Sequence, residues 1–166
     1  MFFTIFKAIE ETSLSVWIRE SDSFFSFWLI LSAHAIGMGL LVGASVLIGV
    51  RILGFAPDLP LAPLKRFYRF LWVGFWIQAA SGILLLIAYP TKSLTNPLFY
   101  AKLTLIGLAM ASMQMLRNRA FADPALSEAT MMARGRNFAI WALVLWVAAV
   151  TAGRLLAYTY TFLTAS

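Results

Sequence analysis

His34 is the only histidine in the 166 residues, and it stands inside an uncharged apolar stretch, residues 26–50. As a helix rising about 1.5 Å per residue, that stretch crosses a hydrocarbon core of about 30 Å and puts His34 roughly 15 Å below the outer surface. An ionisable ring at such depth is costly, so its default role is functional or paired. Other side chains fall within its reach. Lys102 lies about 6 Å below the outer end of a third apolar run, and Arg154 about 9 Å below that of a fourth. Lys102, Ile106, Met110 and Met113 share one helical face, and Met110 comes roughly 18 Å deep, near the level of His34. Gln78 sits near the midplane of the second run.

An imidazole and a thioether at one depth, with cations above them, suit a b-type haem. His34 would ligate the iron, Met110 would be a weaker second ligand, and Lys102 and Arg154 would face the propionates. Each residue also has a plainer reading. His34 can hydrogen-bond across helices to Gln78 or a serine, Met110 and Met113 can fill space, and the cations can snorkel to headgroups. A second histidine, the usual partner for haem between membrane helices, is absent. Met38, Met110, Met113 and Met115 together with His34 would suit Cu(I), but no methionine pattern recurs as a transport path needs. No acidic residue lies within the apolar runs, which argues against ion transport.

The elements that must position these groups follow from composition. The chain is 61% hydrophobic and 12% charged, with mean hydropathy +0.84. A soluble domain is nearer half apolar and a quarter charged, so this reads as an integral membrane protein. Cysteine is absent, which excludes disulfides, thiolate metal sites, iron–sulfur clusters and covalent haem attachment. The net charge of +6 suits loops on the cytoplasmic face of a membrane and does not suggest nucleic acid.

Apolar spans at about 24–50, 67–89, 98–116 and 137–161 predict an all-α bundle of four transmembrane helices, one domain over residues 1–166. Proline-containing loops and a longer polar connection over 117–136 separate the spans. Residues 1–20 predict an amphipathic interfacial helix, with Phe2, Phe6, Ile9, Val16 and Trp17 opposite Lys7, Glu10, Glu11 and Glu20. A simple packing helix is the other reading of that segment. It does not read as a cleaved signal. Arg51, Lys65, Arg66 and Arg69 follow the first span, and Arg117, Arg119, Arg134 and Arg136 follow the third, against Lys92 alone after the second. That asymmetry puts both termini outward, in the periplasm for a bacterial inner membrane. Gly39 and Gly43 form a GxxxG step, and Gly49, Gly74, Gly82, Gly107 and Gly153 predict further helix contacts. The GxxxG step could also pair two copies into a homo-oligomer.

Two stretches carry a resemblance. HAIGMGLLVGASVLIGVRILG, with its histidine and Gly-rich run to an arginine, and NPLFYAKLTLIGLAM, with its early lysine, resemble a class of bacterial four-helix membrane proteins. The class includes CopD-like copper-resistance domains and HemJ-type protoporphyrinogen oxidases. The chain after about residue 20 looks most similar to an uncharacterised family within it. The resemblance implies a porphyrin or haem site, with the HemJ-type histidine and lysine roles falling on His34 and Lys102. The leading expectation is a haem b-binding inner-membrane protein, an electron-transfer or redox-accessory subunit serving a periplasmic or membrane redox partner or quinone. The alternatives are a HemJ-like porphyrin-oxidising enzyme and a cofactor-free scaffold or assembly subunit surrounded by membrane lipid.

Overall fold

The computed structural model describes residues 2–123 and 125–163, with side chains over 4–123 and 125–159. The helices are α1 (Phe2–Glu10), α2 (Ser13–Glu20), α3 (Phe27–Ile52), α4 (Phe67–Ala88), α5 (Pro90–Leu94), α6 (Pro97–Ala120) and α7 (Glu128–Leu163). A 3-10 turn over Ala62–Arg66 leads into α4, and no strand occurs among the described residues. α3, α4 with its leading turn, α6 and α7 are long and apolar enough to cross a membrane. The chain is therefore an all-α four-span bundle of the multi-pass membrane kind. Helices suit that role because they satisfy every backbone group internally where no water can.

The bundle is two helical hairpins, α3 with α4 and α6 with α7, joined along the seam between α3 and α7. Leu41, Ile48, Ile52, Leu71, Met113, Leu116, Ala139, Ala142 and Trp146 fill the core between them. Trp28, Phe70, Trp76, Trp141 and Val147 point outward and exposed, as residues facing lipid do.

Small residues make the α3–α4 crossing, but not those of the GxxxG step. A Cβ at Gly74 would lie 2.6 Å from the Leu41 nitrogen and 2.8 Å from the Gly37 oxygen. One at Gly37 would lie 2.8 Å from the Gln78 nitrogen. Gly39, Gly43 and Gly107 meet nothing within 4 Å, so the expected contact at Gly39–Gly43 is not a contact within this chain.

Helix ends differ from the hydropathy pattern for local reasons. α3 stops at Gly54, whose φ of 100° favours glycine. The Phe55 N–H donates to the Val50 carbonyl and the Gly54 N–H to that of Arg51, closing a Schellman turn. α6 runs on to Ala120 and α7 begins at Glu128, so most of the connection expected over 117–136 is helical. Hydropathy marks the apolar middle of a helix and misses polar turns that extend beyond it. Arg51 is not a free loop charge either. It is buried, pairs with Glu128 at 2.8 Å and donates to the Leu59 and Pro57 carbonyls, while Glu128 accepts from the Leu61 N–H at 2.8 Å. This latch holds the proline-rich turn against the start of α7.

The expected single helix over residues 1–20 is broken at Thr12. That residue is extended (ψ 145°), and its hydroxyl caps α2 by accepting from the Ser15 N–H. Ser15 and Ile18, rather than Trp17, face the bundle. Ser15 Oγ and Arg19 both donate to the Ala88 carbonyl, an orphan acceptor at the end of α4. The N-terminal segment thus packs across one end of the bundle.

Candidate functional site

The site forms where two neighbouring helices part. α4 and α6 are tied at one end by Tyr68, whose hydroxyl donates to the Met113 carbonyl at 3.2 Å. Its ring packs edge-on against Phe121, under the Arg117 guanidinium 5.7 Å from its centroid. α4 and α6 otherwise make little direct contact, each packing mainly on α3 or α7. The cleft between them is a cavity of about 550 Å³, walled by Phe75, Gln78 and Ile83 of α4 and Lys102, Leu103 and Ile106 of α6. His34 reaches it from α3 and Leu156 from α7. Its size and its apolar lining with few polar groups match a small-molecule site.

His34 is half-buried and held at both nitrogens by α4. Ser81 Oγ donates its proton to the Ile77 carbonyl at 2.6 Å, so it must accept from His34 Nδ1–H, 3.0 Å away. His34 Nε2 is then the acceptor, and Gln78 Nε2 donates to it at 2.9 Å. With these partners the ring takes the Nδ1–H tautomer. Gly82 gives the ring its room, since a Cβ there would come within 3.3 Å of His34 Cε1.

Lys102 is half-buried on the cavity wall, with its stem along Gly153. Among the described residues no carboxylate pairs with it. At the start of its helix, Asn96 Oδ1 accepts from the Leu98 N–H at 3.0 Å, ahead of Pro97 at the first helical position. Asn96 Nδ2 donates to Thr159 Oγ1 at 3.1 Å, which ties α6 to α7 beside the cleft.

Of the four site residues expected from sequence, the structure brings His34 and Lys102 to one cavity. Met110 is half-buried against the main core and is not on the cavity wall. Arg154 is exposed and also off the wall. The methionines considered for copper are scattered: Met113 is buried in the core and Met115 is 53% exposed. Among the described residues no three His, Cys, Asp or Glu side chains gather as a metal site would need.

For a haem the fit is partial. The cleft offers an apolar slot, a cation for a carboxylate and one imidazole, but no second axial ligand on its wall. Iron ligation through His34 Nε2 would require Gln78 to release it. Trp146, not among the residues expected from sequence, is buried at 3% exposure in mid-span of α7, away from the interfaces where indoles collect. That position was a usable signal. Comparison with protein families, curated proteins and solved structures finds no match.

Proposed function

We propose that this chain binds an amphiphilic tetrapyrrole, haem b or a related porphyrin, in the cleft between α4 and α6. The observation that carries the reading is Lys102, a cation without a carboxylate partner among the described residues, on the wall of a mostly apolar and otherwise uncharged cavity. A buried charge in a membrane span is retained when something offsets it. A ligand with an apolar body and an anionic edge does so, and its charge-assisted hydrogen bond to Lys102 fixes its orientation. Phe75, Ile83, Leu103 and Ile106 take the apolar body, and His34 presents its ring to the same space.

A b-type haem held there would supply one-electron redox chemistry, which suits an electron-transfer or redox-accessory role with a periplasmic or membrane partner. Gln78 and Ser81 orient His34, and Lys102 binds the anionic edge. In this reading the chain lies in a bacterial inner membrane with the arginine-rich ends of α3, α6 and α7 in the cytoplasm, following the positive-inside rule. The cleft then opens in the outer half of the bilayer.

A cofactor-free scaffold is the second reading, and it is favoured by one observation: both His34 nitrogens already have partners within the chain. Solvent extraction of the purified full-length protein, followed by mass spectrometry, separates the two. Recovery of a porphyrin near one per chain supports the proposal. Recovery of bulk phospholipid alone, from cells supplied with ample haem, contradicts it.

A further inference from the structure

Behind the cleft, where α3, α4, α6 and α7 meet, lies a second void of about 10 Å³. It has room for one water-sized molecule. Leu41, Val42, Ile106 and Val150 make its wall apolar, and the polar residues on that wall are Gln78, Lys102 and Trp146. Gln78 and Trp146 are more than nine-tenths buried, and Gln78 Oε1 and Trp146 Nε1 have no hydrogen-bond partner. Buried polar atoms of this kind are rare in native proteins and point to a bound partner.

The chemistry of the three groups is specific. Trp146 Nε1–H and the Lys102 ammonium only donate, and Gln78 Oε1 only accepts. An anion would satisfy the donors and repel the amide oxygen, while a cation would do the reverse. A molecule of this size that both accepts and donates is water.

We propose that a single structural water sits between Trp146, Lys102 and Gln78, accepting from the first two and donating to Gln78 Oε1. Gln78 and Lys102 line both spaces, so the site is argued for the ligand-free protein, in which no iron competes for His34 Nε2. Its consequence reaches His34. With Oε1 held by the water, the Gln78 amide must turn Nε2 toward the imidazole, which keeps His34 in the Nδ1–H tautomer with Nε2 as acceptor. Trp146, on α7, is thereby a positioning residue for a histidine on α3 that it acts on through water and Gln78. Without the water, Gln78 is free to rotate its amide, accept from His34 Nε2–H and reverse the tautomer, with Ser81 donating to Nδ1.

Because His34 is the sole histidine, full-length protein labelled with 15N-histidine gives one pair of ring nitrogen signals. The expected spectrum has a protonated Nδ1 and an unprotonated Nε2, and the Trp146 indole proton shows a cross-peak to a long-lived water. Trp146→Phe, which removes the N–H donor along with part of the ring, should convert the single tautomer to a mixture, and Lys102→Met, which removes the other donor, should do the same. An Nε2–H tautomer in the unsubstituted protein, or an indole proton with no water cross-peak, overturns the proposal without any variant. An unchanged tautomer in a folded Trp146→Phe overturns it too.

Discussion

Gln78 on α4 donates its side-chain amide to His34 Nε2 on α3 at 2.9 Å, so the sole imidazole is pinned across a helix pair. Ser81, one turn later on α4, accepts from the other ring nitrogen at 3.0 Å. Residues three apart on a helix share a face, which lets one helix grip both sides of the ring.

Gln78→Leu and Ser81→Ala each strip one partner from a partly buried ring. Each should destabilise the protein by about 1–3 kcal/mol, the range for an unsatisfied buried polar group. Both act on one ring, so the double variant should lose less than the sum of the singles. Thermal midpoints in detergent measure this, and strict additivity would show that the two bonds are independent.

The glycines make opposite predictions. Gly74→Ala puts a methyl 2.6 Å from backbone that cannot move aside, and should part α3 from α4 at a loss of about 2–3 kcal/mol or more. Gly39→Ala meets open space and replaces a poor helix former, so it should be neutral or stabilising by up to about 1 kcal/mol. Parallel thermal scans decide between them. Equal effects would contradict the crossing described.

Glu128→Ala leaves the buried Arg51 guanidinium without its counter-charge and the Leu61 N–H without its acceptor. Losing one partner of a buried pair costs about 3–5 kcal/mol, and the half-exposed Glu128 brings the expected loss to about 2–3 kcal/mol. The proline-rich turn should loosen first. Protease sensitivity near Pro57–Pro60 is the readout, and unaltered cleavage would show that the latch is dispensable.

Much of this architecture was legible in the sequence. Four long, mostly apolar runs can do little else in a bilayer than form helices, and the observed spans follow them. At about 1.5 Å per residue His34 and Lys102 fall in the same outer half of their helices, and the cleft joins them. Met110 and Arg154 miss the cleft because depth says nothing about which way a helix is rotated, and rotation is set by packing. The same ignorance misassigned Gly39 and Gly43, which share a spacing with contact glycines but face away from α4. Thr12 and Arg51 carry the remaining lesson. A single cap or a single buried ion pair redirects the chain without altering its hydropathy.

Lys102→Met separates ligand binding from folding. Removing an uncompensated cation from an apolar wall should leave the ligand-free bundle as stable or more so. Losing a charge-assisted bond worth about 1.5–3 kcal/mol should weaken an anionic porphyrin about 10- to 100-fold. Titration followed by fluorescence quenching of the protein's tryptophans reads both states, and undiminished porphyrin affinity would remove Lys102 from the site.

The most direct measurement is an absorption spectrum of the purified full-length protein, oxidised and then reduced with dithionite, beside His34→Ala and Lys102→Met. The unsubstituted protein should show a porphyrin Soret band that falls sharply in both variants while their helical content is retained. A flat spectrum from cells with ample haem, or a Soret band untouched by either substitution, would contradict porphyrin binding in the cleft.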